Sequence, residues 1–175
     1  MSASQDDYLK NLPLAIHLPS LNTLAVHAGI LPFDPKSPPD APSQPLARTP
    51  TISSPSAYST RSAQERALLT DIKQNTDPWV LLNMRTVLHN GEVSRKVTKG
   101  RPWPDLWNMI MEQCHGYATT KGLALDASTS LLNLSCLPIN IVYGHFASRG
   151  LDIRRWSFGL DDGCVSLDRT ILSQK

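Results

Sequence analysis

Two histidines carry the clearest chemistry in this sequence: His27 in Val-His-Ala-Gly (Val26 to Gly29) and His145 in Tyr-Gly-His (Tyr143 to His145). Each closes an apolar run, so each imidazole is expected at the end of a buried strand, where a side chain is firmly placed. A neutral imidazole nitrogen suits zinc, iron or manganese, and the glycine beside each histidine leaves room for a metal and a phosphate to approach. Taken singly, a histidine after a strand is more often a hydrogen-bonded core or surface residue.

The elements that would position them are legible in outline. Between Tyr8 and Gly29 the text predicts two short strands, the second running Leu24-Ala25-Val26 into His27. Ile139 to Tyr143 is the clearest strand and delivers His145; Arg155 to Leu160 is another, with Asp161-Asp162-Gly163 as a turn after it. Helices are expected over Gln64 to Gln74, where Ala67, Leu68 and Ile72 fall at helical spacing, and over Asp105 to Cys114, with Pro104 in the first turn and Gly116 beyond the end. Trp79 to Met84 is a further apolar run. Asn90-Gly91 has the chemistry of a tight turn, with Val87 and Val93 as hairpin arms.

The chain has 175 residues, 41% of them hydrophobic, enough for one domain with a modest core. Its 14 prolines exceed average usage, and eight of them lie between Pro32 and Pro55 among serines and alanines. That composition offers little to bury, so residues 32–63 are expected as a disordered surface insertion. Residues 1–7 are polar and expected to be disordered as well. A net charge of +2 without a basic, aromatic-interleaved cluster gives no indication of nucleic-acid binding. No stretch approaches the roughly 18 to 20 apolar residues of a membrane span, and no signal peptide is apparent. The three cysteines, Cys114, Cys136 and Cys164, are widely spaced and odd in number, indicating neither a disulfide framework nor a zinc knuckle. A reducing compartment is then the default.

Wider wording links the motifs. Leu12 to Ile16, Val26 to Pro32, Leu82 to Arg85, Gly100 to Trp103, Val142 to Asp152 and Gly159 to Val165 occur in an order that resembles the C-terminal half of the calcineurin-like metallophosphoesterases. The branch is similar to bacterial diadenosine tetraphosphatase and its fungal relatives, and the resemblance runs over residues 8–165 apart from the insertion. It implies an α+β fold, part of a β-sandwich flanked by helices, around two divalent metals (zinc, manganese or iron) that orient a phosphate and activate a water. It further implies that His27 and His145 ligate one and the same metal. Arg149, in Ser-Arg-Gly-Leu, and Arg85, in Asn-Met-Arg, are candidate substrate-binding residues because a guanidinium fork matches phosphate oxygens; each is equally suited to a surface ion pair.

The sequence departs from that family in two places. The upstream motifs GDxHG, GDxxDRG and GNHD, which supply the other ligands and the bridging carboxylate, are absent, so no catalytic residue is assignable and tight metal binding by this chain alone is not expected. Asp162 replaces a usual threonine, and residues 166–175 form an atypical polar tail. The functional expectation is a fragment of a metal-dependent phosphatase, inactive alone, whose parent hydrolyses phosphoanhydride or phosphoester bonds of polyphosphate or dinucleoside polyphosphates. The alternative is a non-catalytic truncated protein that binds a partner or an intact homologue through an exposed sheet edge. A structural zinc module of Cys114, His115 and Cys136 has poor spacing. Localisation is cytoplasmic by default, or vacuolar if an anchor precedes the sequence.

Overall fold

The computed structural model describes residues 2–117, 132 and 134–163. Its centre is a mixed five-stranded sheet built from β1 (Ala15–Leu18), β2 (Thr23–Val26), β6 (Asn140–Tyr143), β7 (Asp152–Ile153) and β8 (Ser157–Gly159), in the order β1-β2-β6-β8-β7. β1 and β2 form an antiparallel pair joined by a tight turn over Pro19–Leu21 that Asn22 ends in the left-handed region, at φ 52°. The central pairings β2–β6 and β6–β8 are parallel. A second, three-stranded sheet holds β3 (Thr86–Val87) between β4 (Val93–Ser94) and β5 (Arg101–Pro102). The hairpin expected around Asn90-Gly91 is the β3–β4 pair, with Val87 directly opposite Val93. The chain is therefore α+β.

Register divides the large sheet into two unlike faces. Leu24, Val26, Ile141, Tyr143, Ser157 and Gly159 share one face and are buried. Helices α2 (Ala57–Thr70) and α4 (Trp103–Met111) cover it. Asn108 on α4 donates to the Ser157 hydroxyl, the Trp107 indole donates to the Ile139 carbonyl, and Glu65 on α2 meets His17 of β1 at 2.5 Å. The opposite face carries an unbroken cross-strand row, Ile16, Ala25, Val142, Phe158 and Ile153. Its ends stand in solvent, Ile16 48% and Ile153 54% exposed, and its middle is half-buried.

Local chemistry explains the helices. In α4 Pro104 occupies the first turn, where no backbone donor is needed, and Trp103, Leu106, Trp107, Ile110 and Met111 form its buried face. α2 begins seven residues before the periodic stretch seen in the sequence because Ser56 and Ser59 cap it reciprocally. The apolar run from Trp79 becomes the short helix α3 (Pro78–Asn83), started by the Asp77 carboxylate accepting from the Trp79 amide.

Three expectations are corrected. The proline-rich segment is irregular but not disordered: successive turns run from Asp34 to Ala47, Leu46 lies in the core at 1% exposure, and residues 57–63 are the first turns of α2. A donor-poor backbone still needs its carbonyls satisfied, and two buried glutamines supply the donors. Gln44 bonds to the Asp34 and Ser37 carbonyls, and Gln64 to those of Pro45, Arg48 and Ser135. The N-terminus, expected to be disordered, forms α1 (Ala3–Lys10), held by a Ser2/Gln5 capping box and an Asp6–Lys10 pair, with no buried residue. Finally, Cys114 and Cys136 form a disulfide, contrary to the expectation of none. Cys114 follows α4 and Cys136 precedes β6, so packing of α4 on the sheet brings together two residues 22 apart. The polar tail of residues 166–175 and Cys164 lie outside the described residues.

Candidate functional site

β2 and β6 lie side by side and parallel, with Val26 opposite Tyr143. Both end at the same edge of the sheet, so the residues that follow emerge together. The Gly144 amide donates to the His27 carbonyl at 2.8 Å, carrying the ladder one step past the strands, and the Ala28 amide donates to the Leu81 carbonyl of α3 at 2.9 Å. The backbone on either side of His27 is thus fixed from two directions.

The two rings converge. His27 Nε2 lies 3.1 Å from His145 Nδ1, with ring centroids 4.8 Å apart and planes tilted by 51°. His145 adopts φ 58°, a left-handed conformation uncommon for a residue with a side chain, which the Gly144 and Leu160 backbone bonds around it sustain. Burial lowers the affinity of His145 for a proton, the neighbouring charges of His27 and Arg85 act in the same direction, and Asp161 opposes them. The net effect favours the neutral ring, the form that binds metals.

Two imidazole nitrogens on one tetrahedral zinc, each at about 2.0–2.1 Å, are separated by roughly 3.3 Å. The observed 3.1 Å contact is a hydrogen bond between the two rings, one nitrogen donating and the other accepting, at a separation close to that of two ligands on one ion. Among the described residues no group of three or more His, Cys, Asp or Glu side chains is placed to hold a metal. The two histidines by themselves do not make a metal site among the described residues. A zinc module of Cys114, His115 and Cys136, already disfavoured by its spacing, does not form, since the two cysteine sulfurs are joined to each other.

The arginines differ. Arg149 donates to Asp152 at 3.0 Å and its guanidinium sits over the Phe146 ring, 4.5 Å from the centroid. Asp152 also accepts from Tyr143 at 2.9 Å and from Arg154 at 2.9 Å, and Arg154 reaches on to Asp105. Burial pushes the Asp152 carboxyl up, yet its donors, Arg154, Tyr143 and Arg149, more than offset this and hold it below the usual carboxylate range. Burial and the bond to Asp152 raise the Tyr143 phenol far above its ordinary value, so it stays a donor. Arg85 also lies over Phe146, at 5.5 Å, but its Nε is buried with no hydrogen-bond partner.

Several residues that shape this region carried no sequence signal of their own. Phe146 is the surface on which both arginines stack. Trp103 packs edge-on against Tyr143, centroids 4.7 Å apart, and Gly29 is tight against it. Buried Asn75 takes both backbone groups of Leu31, at 2.8 Å each, anchoring the segment that leaves His27. Gly29, Trp103, Phe146 and Asp152 lie inside motifs already noted, whereas Asn75 lies outside all of them.

No family model matches this chain, and no curated protein matches it. Among solved structures, the chain is similar to the crystal structure of "a putative diadenosine tetraphosphatase", at 20% identity and a TM-score of 0.47, over 94% of this chain and 47% of that one. The chain spans about half the length of that protein, and the likeness assigns no residue a role. No helix among the described residues is long and apolar enough to cross a membrane.

Proposed function

We propose that this chain carries half of the metal site of a metallophosphoesterase, and that the complete enzyme hydrolyses phosphoanhydride or phosphoester bonds, with polyphosphate or dinucleoside polyphosphates as the substrate class. The observation that supports this reading is the convergence of His27 and His145, from adjacent parallel strands, to a nitrogen separation of 3.1 Å. The ordered motifs of the sequence support it independently. A metal bound there would supply Lewis acidity and a nucleophilic water near neutral pH. The residues of this chain hold two imidazole nitrogens 3.1 Å apart and stack two arginines on the neighbouring Phe146. On this reading the remaining ligands come from outside the described residues, among which no group of three or more His, Cys, Asp or Glu side chains is assembled, and the chain alone is expected to be inactive. The Cys114–Cys136 disulfide favours an oxidising compartment over the cytoplasmic default.

Zinc titration of the purified chain, followed by calorimetry, tests this reading. Binding should be weak and saturate at one ion per chain, and His27→Ala and His145→Ala should each abolish the heat. Unchanged binding in both variants sinks it. Hydrolysis of an aryl phosphate by the chain alone, lost in His27→Ala, would refute the incompleteness.

A second, non-catalytic reading is supported by the sheet itself: among the described residues β1 is an edge strand, and its Ile16 begins the apolar row. On this reading the chain associates with a homologous sheet. Sedimentation velocity over a concentration series should show association that Ile16→Lys removes; a strictly monomeric wild-type chain, with no complex on adding an intact homologue, dismisses it.

A further inference from the structure

We propose that the hollow between β3 and the start of the proline-rich segment, together with the basic loop joining β4 to β5, is a docking site for an acidic peptide segment of a partner protein. An apolar side chain of that segment fills the hollow while its carboxylates meet the loop. The site shares no residue with the histidine pair and needs neither a metal nor the phosphoesterase reading.

The hollow has a volume of about 360 Å³, and Phe33, Pro35, Val87, Leu88 and Leu106 line it, with Arg101 as an exposed cation. That volume lies at the lower end of the range for pockets that bind ligands and holds one or two apolar side chains. Its walls are fixed before anything binds. Pro35 packs on the β3–β4 turn, where Gly91 has φ 82° and an added Cβ would lie 2.3 Å from Pro35 Cβ. Gln44 bonds to both backbone groups of Asp34, at 2.9 and 2.8 Å, and so holds the wall made by Phe33 and Pro35. Gly100, at φ 78°, seats the end of the basic loop against the Val87 carbonyl, 2.4 Å from where a Cβ would stand. A preformed hollow spares a ligand the entropy of ordering it.

Charge selects the occupant. Residues 95–101 read Arg-Lys-Val-Thr-Lys-Gly-Arg, four cations without an acid, and every one of them is exposed. The ion pairs of the described residues are all made by other side chains. Two acids next to the lining in sequence are engaged: Asp105 holds Arg154, and Asp34 accepts from the Lys36 amide and the Gln74 side chain. Glu92, beside Gly91, is exposed and offsets one of the four cations. The Arg101 guanidinium meets only the Met109 sulfur, at 3.1 Å, a weak acceptor. Four like charges within seven residues repel one another, and their summed field attracts a run of carboxylates. The loop has no aromatic side chain on which a nucleic-acid base could stack, and a flat lipid surface would leave the hollow unused. An apolar residue flanked by acids uses both features. Its anchor supplies affinity, and its carboxylates supply speed of encounter and choice of partner.

The test is fluorescence anisotropy of a fluorescein-labelled synthetic peptide, Glu-Glu-Leu-Phe-Glu-Glu, titrated with the full chain. Binding should saturate at one peptide per chain and weaken several-fold as salt rises from about 0.05 to 0.3 M, because the cations are exposed. A peptide with Ser-Ser in place of Leu-Phe, which leaves the protein untouched, should bind about tenfold or more weaker. Arg101→Glu should cost about as much, and Lys99→Glu several-fold. Lys10→Glu makes the same change of net charge on α1 and should leave the affinity unaltered. No saturable binding, equal affinity for the Ser-Ser peptide, or a loss in Lys10→Glu as large as that in Arg101→Glu would each overturn the proposal. Tighter binding of an oligothymidylate of equal charge, or of phosphatidylserine vesicles, would overturn it as well. If Arg101→Glu fails to fold, Lys99→Glu and the Ser-Ser peptide still decide.

Discussion

Gly29 stands two residues beyond His27 and is the tightest joint between the histidine segment and the core. A Cβ added there would lie 2.5 Å from Trp103 Cε2, 2.6 Å from Trp103 Nε1 and 2.9 Å from Met84 Cε. The methionine methyl is the end of a flexible side chain and can move aside. The indole cannot, because it is 0% exposed and packed edge-on against Tyr143. The φ of Gly29 is not in the left-handed region, so the penalty in Gly29→Ala is steric overlap with no backbone strain added. Overpacking of this kind costs about 1–3 kcal/mol. Urea denaturation should show that loss in the midpoint with an unchanged slope. Trp103→Leu removes both indole atoms that clash, so in a double-mutant cycle the Gly29→Ala penalty should shrink by about 1 kcal/mol or more in the Trp103→Leu background. A Gly29→Ala variant within about 0.5 kcal/mol of wild type, or a penalty unaltered by Trp103→Leu, would refute the account of this contact.

Three other outcomes follow. Asp152→Asn should destabilise the chain by roughly 1.5–3 kcal/mol, since three donors lose their charged acceptor; and because the folded-state Asp152 is held below its unfolded value, its contribution is present above the ordinary carboxylate range and is lost as pH falls through the folded pKa. Acid unfolding of Asp152→Asn should therefore be less steep than that of wild type. Cys114→Ser or reduction should lower stability by about 2–4 kcal/mol, the worth of closing a loop of this order of length, measured by denaturation with and without reductant. Removal of residues 1–10 should change the melting temperature by less than about 2 °C, because α1 buries no residue.

How far the sequence spoke depends on which physics governed each element. Strands β2 and β6, the turn at Asn90-Gly91 and the start of α4 follow from local rules: hydrophobic runs, turn chemistry and proline placement. The histidines were legible because strand ends are. The order between Pro32 and Pro55 is invisible to composition, which counts what a segment can bury by itself, whereas Gln44 and Gln64 satisfy its carbonyls from buried positions, one of them on a helix. The disulfide needed the packing of α4 to bring its cysteines together. Arg149 and Arg85 were alike as sequence; only the reach of Asp152 tells them apart.

The parallel pairing of β2 with β6 also governs when the histidine pair can exist. The β1–β2 hairpin closes over a few residues, but His27 and His145 are 118 positions apart. Bringing such distant segments together costs about 3 kcal/mol more loop-closure entropy than closing the hairpin, and contacts of high sequence separation form late and slowly. During synthesis, His27 would wait with its strand half-paired until nearly the whole described chain had left the ribosome. The histidine pair is thus among the late contacts of this fold, and the arrival of β6 is the step at which the two rings first meet.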